Sequence, residues 1–331
     1  MKNFAKLIKL TLIATTFVTM FSCSDDDGPV VTPPNNSIAA VASRAPQFTS
    51  LVAALDKAGL AQTLDQNGPF TVFAPTNDAF SAFLTANNFA SLDDVPVAVL
   101  KEVLLNHVVM GTNLSTNLSS GYVKSMGKGS ASTTNTLSLY IDTTTGVKIN
   151  GVATVTNADI LASNGVIHEV DAVIGLATIV DHAIANPNFS TLVTVVTSTD
   201  TNGNGFGDQS AVATALTTNT SPLTVFAPIN AAFASAVGPG GFAENATPAQ
   251  VSAVLQYHVT AAGNVQSSSL TNGQVVPMIT DPVQNITIDL SAPTMPKITD
   301  QSTTQANIIV VDVQCANGII HAVDKVLQPS L

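Results

Sequence analysis

The chain has 331 residues, 45% hydrophobic and 10% charged, with 22 Asp plus Glu against 11 Lys plus Arg and a formal net charge of −11. That apolar content over that length supplies cores for two ordinary domains, and the acidic balance repels phosphate backbones and anionic headgroups, which excludes nucleic acid as an expected partner. With 5% aromatic residues and no Trp, there is little material for a sugar-stacking platform.

Residues 1–22 read as an export signal, with Lys2, Lys6 and Lys9 around the start of an apolar run, Leu10 to Phe21, that is short for a bilayer span. With those three lysines removed, 8 basic against 22 acidic residues leave −14. Met20-Phe21-Ser22-Cys23 followed by Ser24-Asp25-Asp26-Asp27 resembles a bacterial lipoprotein signal. In such a signal the cysteine, here Cys23, is lipidated and becomes the first residue of the mature chain. The acidic run resembles the signal that sends some Gram-negative lipoproteins to the outer face of the outer membrane. A plain secretory leader with an incidental cysteine is the alternative. The expected location is therefore an outer-membrane lipid anchor exposed at the cell surface, with residues 23–36, polar and rich in Pro, Gly and Asp, as an extended tether.

From residue 37 onward one folding unit is written twice. Apolar positions Phe48, Leu51, Val52 and Leu55 predict a helix, and their counterparts Phe189 to Val196 lie 141 residues on. Thr71-Val-Phe-Ala-Pro-Thr-Asn-Asp-Ala-Phe80 returns at Thr224 to Phe233 with an offset of 153, so twelve residues are inserted between these two points in the second copy. The stretch predicts a strand at Thr71 to Phe73, an extended exit through Ala-Pro, and a helix capped by Thr76 whose apolar face carries Phe80, Phe83 and Leu84. Asp94-Val-Pro96 and Thr247-Pro248 announce a further helix in each copy, ending near Asn106-His107 and Tyr257-His258. Leu137 to Ile141, Val147 to Ile149 and Val152 to Thr156 then predict antiparallel strands. A closing motif, Asn164 to Ile174, returns as Asn317 to Leu327, again at 153. The fold class is α+β in two tandem domains, 37–176 and 177–331, with the short junction Gly175 to Thr178 limiting their relative orientations.

The long opening motif, the central Tyr-His and the closing Asn-Gly-Val-Ile-His-x-Val-Asp-x-Val together resemble the fasciclin-type domain, over about residues 37 to 329. The resemblance implies a β-wedge or sandwich with helices packed at one edge, an adhesive or matrix-binding role outside the cell, no enzymatic activity and no required cofactor. It also carries over candidate partner-binding residues. The Tyr-His pair falls on Tyr257 and His258, with Asn106-His107 as its altered first copy. The Asp-Ile step, which animal relatives use toward integrins, falls on Asp159-Ile160 and more loosely on Asp312-Val313. The position is carried over and the integrin is not. The expected partner is a protein or matrix polymer, and an accessory polysaccharide-binding protein of a glycan-uptake system is the alternative.

The residues themselves offer little chemistry. His168 and His321 each stand three residues before an aspartate, Asp171 and Asp324. Positions three apart in a strand face opposite ways, so the pair cannot jointly grip an ion without a bend, and satisfied, partly buried structural histidines are the expectation. No Gly-x-Ser-x-Gly, phosphate-cradling Gly-Lys or paired-cysteine spacing is present, so no catalytic residue is expected. Cys315 lies in an apolar stretch, aligns with Ala162 and reads as a small buried hydrophobe. The inserted segment places oxygens at Asp200, Asn202, Asn204 and Asp208 with Gly205 at the sixth position, a spacing that suits calcium. Ala211 stands where a calcium loop has its bidentate glutamate, and a plain Asn-Gly turn is the alternative.

Overall fold

The structure is a computed structural model that describes residues 36–331 except 67, 200–205, 238–245, 293–294 and 303. The leader, Cys23 and most of the tether lie outside the described residues, as do Asp200, Asn202 and Asn204.

In the first repeat, α1 (Ile38–Arg44) and α2 (Thr49–Lys57) precede β1 (Phe70–Pro75), α3 (Asn77–Ala86) and α4 (Val97–Asn106). The remainder is strand: β2 (Val108–Met110), β3 (Gly121–Lys128), β4 (Thr136–Asp142), β5 (Lys148–Ile149), β6 (Ala153–Ala162) and β7 (Gly165–Val170). The second repeat runs α5 (Ile179–Ala185), α6 (Ser190–Val196), α7 (Ser210–Thr218), β8 (Leu223–Pro228), α8 (Asn230–Val237) and α9 (Pro248–Gln256). It ends in β9 (Val259–Thr260), β10 (Val275–Pro277), β11 (Asn285–Asp289), β12 (Lys297–Thr299), β13 (Ala306–Cys315) and β14 (Gly318–Val323). The local signals work as read. Thr76 accepts from the Ala79 amide at the start of α3, and Thr247 and Gln250 cap α9 reciprocally with Pro248 in its first turn.

The two repeated motifs turn out to be neighbours. β1 pairs in parallel with β7, setting Phe73 against His168, and β8 pairs in parallel with β14, setting Phe226 against His321. Every residue of β1 and β8 is buried, as the burial of both sheet faces demands of a continuous apolar run. On one side the helices cover the sheet: Phe48, Leu51, Leu55, Phe80, Leu100 and Leu104 form one cluster with Val72 and Ala74. Full burial of Phe48, and of Phe189 in the second repeat, contributes about 2–3 kcal/mol each. On the other side Phe73 packs with Leu139, Ile141, Ile149 and Val170 inside the strands.

The repeats differ in closure. The strands of the first form a closed seven-stranded barrel, joined at Val109 opposite Ser125, whereas those of the second form a seven-stranded sheet with β10 and β9 at its ends. At that position Thr260 Oγ1 donates to the Pro277 carbonyl at 2.6 Å, and Pro277 has no N–H to return a ladder bond. The twelve extra residues lead into α7, which replaces the turn at 61–66 of the first repeat. Asn317 Nδ2 donates to Leu216 O as Asn164 Nδ2 does to Leu64 O, so both segments end on the same anchor.

A seam joins the repeats. Lys124 Nζ donates to Ser138 Oγ at 3.1 Å and across to Asp312 O at 2.7 Å, while Gln314 N donates to Ser138 Oγ at 3.0 Å. Ser130 Oγ and Ala131 N both donate to Ala316 O at 2.9 Å. Tyr122 packs on the core of the second repeat and accepts from Asn186 Nδ2 at 3.2 Å. Gly129 lies where the backbones come close, and a Cβ there would stand 2.5 Å from Ala316 Cα.

The parallel pair has its own close contact. A Cβ on Gly165 would lie 1.9 Å from Phe70 O, and one on Gly318 2.2 Å from Leu223 O. Gly165→Ala is therefore expected to destabilise the chain by about 3 kcal/mol or more, through backbone displacement at a φ of +154°. Equilibrium denaturation measures it, and a loss below about 1 kcal/mol would show that the β1–β7 contact yields easily.

Candidate functional site

Four histidines form two pairs of braces. At the ends of α4 and α9, His107 Nδ1–H donates to Val103 O and His258 Nδ1–H to Val254 O, each at 2.7 Å. Their Nε2 atoms accept from Ile174 N and Leu327 N at 2.9 Å, tying the segment after each last strand to a helix end. On β7 and β14, His168 Nε2–H donates to Asn113 O at 2.8 Å and His321 Nε2–H to Val265 O at 2.9 Å. Their Nδ1 atoms accept from the amides of Asp159 and Asp312 at 3.2 and 3.3 Å. Both ring nitrogens of all four are used inside the fold, which leaves none to ligate a metal or shuttle a proton. Asp171 and Asp324 serve other strands: their carboxylates accept from Thr154 N at 2.6 Å and Asn307 N at 2.7 Å.

The Asp-Ile positions lie on β-bulges, where the β6–β7 and β13–β14 registers shift. Asp159 and Asp312 hold left-handed backbone, φ 62° and 61°. Such residues need a local hydrogen bond to offset the cost. Asp159 accepts from Ser115 Oγ at 2.6 Å and Ser115 N at 2.8 Å, and Asp312 accepts likewise from Ser267. The Ser115 hydroxyl, and then its amide, holds the Asp159 carboxyl below the usual range.

The partner-binding expectations need correction on this geometry. Tyr257 is fully buried, its hydroxyl donating to Asn285 O at 2.7 Å, and His258 and Val313 are buried too. None of the three can meet a partner on a folded chain. Asp159 and Asp312 are half-buried and bonded to serines, and Ile160 is half-buried against the first core. Sequence reasoning missed what the bulged strand does present. Ile309, Val310 and Val311 are 40%, 38% and 40% exposed on β13, where the first repeat has Thr156, Asn157 and Ala158. The available signal was the unbroken apolar run Ile308 to Val311, which lacks the alternation of a half-buried strand.

Of the calcium-loop residues, Asp208 alone is described, and its carboxylate accepts from Ser210 N at 2.9 Å at the start of α7. Among the described residues no group of three or more His, Cys, Asp or Glu is placed to hold a metal. Cys315 is buried, and burial pushes its thiol well above the ordinary range, so it offers no thiolate.

The fifth histidine is different. His182 on α5 is fully buried, and neither ring nitrogen has a partner. It sits edge-on to Tyr122 of the first repeat, ring centroids 5.7 Å apart, with the seam covering it. The first repeat has Val41 at the matching place.

A family model for the fasciclin domain matches residues 46–176 and again 187–329. The chain belongs to the fasciclin domain family. Among similar proteins, Protein sll1483 of Synechocystis sp. is 41% identical over 138 residues, covering 42% of this chain and 72% of that protein. The transforming growth factor-beta-induced protein ig-h3 of Sus scrofa is 30% identical over 148 residues, 44% of this chain but 20% of that protein. The chain thus spans about a fifth of that fasciclin relative's length. Among solved structures, a FAS1 domain pair from the insect cell adhesion molecule Fasciclin I covers 83% of this chain and 92% of its own at 19% identity, with a TM-score of 0.47.

Two outcomes follow for this fasciclin pair. Asp312→Ala removes the carboxylate bonds to Ser267 at a left-handed position, so a loss of about 2–4 kcal/mol is expected by chemical denaturation. An unchanged midpoint would mean that Ser267 finds water without cost. Acid is the second. Burial lowers His107, His182 and His258 from 6.5 to about 4, so between those values the unfolded chain holds more protons. Stability is then full above about pH 6.5 and declines toward pH 4, by up to about 3 kcal/mol per histidine. His182→Val, which copies Val41, should shallow that decline measurably, and a slope identical to the parent's would clear His182 of any part in it.

Proposed function

We propose that this chain is a non-enzymatic surface protein that attaches to another protein or matrix polymer, held to the outer membrane by a lipid on Cys23. Fasciclin domain proteins are cell adhesion and binding proteins, and nothing in the site chemistry calls for a different reading. Apart from His182, the conspicuous titratable groups are consumed by the scaffold: four histidines in braces, four aspartates on backbone amides, one thiol in the core. The observation that carries the reading is the exposed Ile309-Val310-Val311 run. It replaces Thr156-Asn157-Ala158 of the first repeat with three adjacent aliphatic side chains beside the seam, the kind of surface that partners cover.

A panel of immobilised matrix proteins tests it against the full chain and an Ile309→Asp, Val311→Asp variant. Retention of the full chain, weakened at least about tenfold in the variant at unchanged melting temperature, is the expected result. Equal retention of the two would move the adhesive surface elsewhere on the pair.

A further inference from the structure

The duplication supplies its own control for what the seam buries. In the first repeat Leu161 is 69% exposed, and Val41, Ala45 and Ala162 are half-buried. Their counterparts in the second repeat, Gln314, His182, Asn186 and Cys315, are all buried, because β3, β4 and the turn between them lie on that face. His182 is thus closed in by the other repeat, and neither of its ring nitrogens has a hydrogen-bond partner there. Buried polar groups are normally paired, so one left unpaired at a junction asks for an account.

The junction has a hinge. Gly175 O accepts from Asn106 Nδ2 of the first repeat at 2.8 Å, and Ala177 O accepts from Ala316 N of the second at 2.7 Å. Leu176 stands between these anchors, so rotation there can part the repeats without breaking a helix or strand of either. Most of the seam's hydrogen bonds, from Lys124, Ser130 and Ala131 to the carbonyls of Asp312 and Ala316, are ones that water can replace once the faces separate.

The groups around His182 come from both repeats. Tyr122 and Lys124 face it from β3, with Tyr140 of β4 packed edge-on to Tyr122. Cys315 of β13 lies close to Tyr122 and Lys124. Asp181 adjoins it on α5, and Asp142 and Lys148 stand across a cleft from Asp181. On β14, which packs against α5, His321 turns away to Phe226 and Val265 O. Helices α6 and α7 carry no titratable side chain. Burial holds Tyr122, Tyr140 and the Cys315 thiol above their ordinary values, so all three stay neutral in acid.

We propose that His182 makes the seam an acid-sensitive latch: when the ring takes up a proton, the two repeats part about Leu176 while each stays folded. In the closed form an imidazolium has two N–H groups with no acceptor and a neighbouring Lys124 ammonium, whereas in the parted form it meets water. Burial is the larger influence and outweighs the attraction of Asp181, lowering the ring from 6.5 to about 4. The parted form therefore binds more protons below pH 6.5, so closure is fully favoured above that value and declines toward pH 4. At pH 4.5 the ratio of closed to parted chains falls by about 80-fold relative to neutral pH. Parting lengthens the pair and uncovers β13 from Asp312 onward, beside the Ile309-Val311 run. The latch needs no partner, so it stands or falls apart from the adhesive reading.

Pulsed EPR distances test it on the full chain carrying Cys23→Ser, with spin labels on Ser81→Cys in α3 and Thr217→Cys in α7, both exposed positions. One distance is expected at pH 7.5, joined at pH 4.5 by a second, longer one while the far-ultraviolet circular dichroism is unchanged. His182→Val, and His182→Gln as a second neutral replacement, should cut the longer fraction at pH 4.5 at least about tenfold. A distance that fails to lengthen in acid, a longer fraction equal to the parent's in whichever replacement folds, or loss of the dichroism signal together with the lengthening would overturn the proposal.

Discussion

Each repeat depends on a parallel strand pair whose members come from opposite ends of its sequence. Phe70 meets Gly165 and Leu223 meets Gly318, and parallel neighbours need a long crossover. Here the crossover is the rest of the domain: helices pack on one face of the pair and the remaining strands curl round the other. The glycine in each Asn-Gly lets the two backbones approach at a distance that any Cβ would forbid. The asparagine before it ties the same corner down, Asn164 Oδ1 accepting from Ile38 N and Asn317 Oδ1 from Ile179 N. The most recognisable letters of the sequence are thus the mortar of the fold.

The polar residues near that pair extend its hold to places a ladder cannot reach. His168 and His321 accept the amides of left-handed aspartates at the bulges, and those aspartates in turn hold serines of the segment after β2 and β9. His107 and His258 fasten the exit of the last strand to a helix end. A low-dielectric interior makes each satisfied bond matter because its loss would strand a partner. Such groups look functional in a sequence because the same residue types serve catalysis and binding. Their geometry here leaves them no free atom.

Much of the fold could be read before any coordinates. The helix starts at Thr76 and Thr247, the apolar spacing of Phe48 to Leu55 and the alternation of Leu137 to Ile141 are short-range signals, and short-range physics decided them. The insertion was located by offset, though the helix it leads into, Ser210–Thr218, was not foreseen. The parallel pairing was out of reach, since strand partners depend on long-range closure that one sequence does not encode locally. The same holds for Tyr257, which ends a helix in a sequence yet points its ring into the core in space.

The parallel pairing also sets when the chain can fold. In either repeat the first buried strand has β2 or β9 along one edge but lacks its parallel neighbour until the last strand arrives, most of a domain later, and contacts of such sequence separation make for slow folding. A chain emerging end-first, whether from a ribosome or through a membrane pore, therefore stays threadable until nearly all of a repeat is out. After the final strand docks, it becomes compact in one cooperative step. The architecture builds a delay into its own assembly, and a truncated repeat would be an unfolded segment instead of a smaller domain.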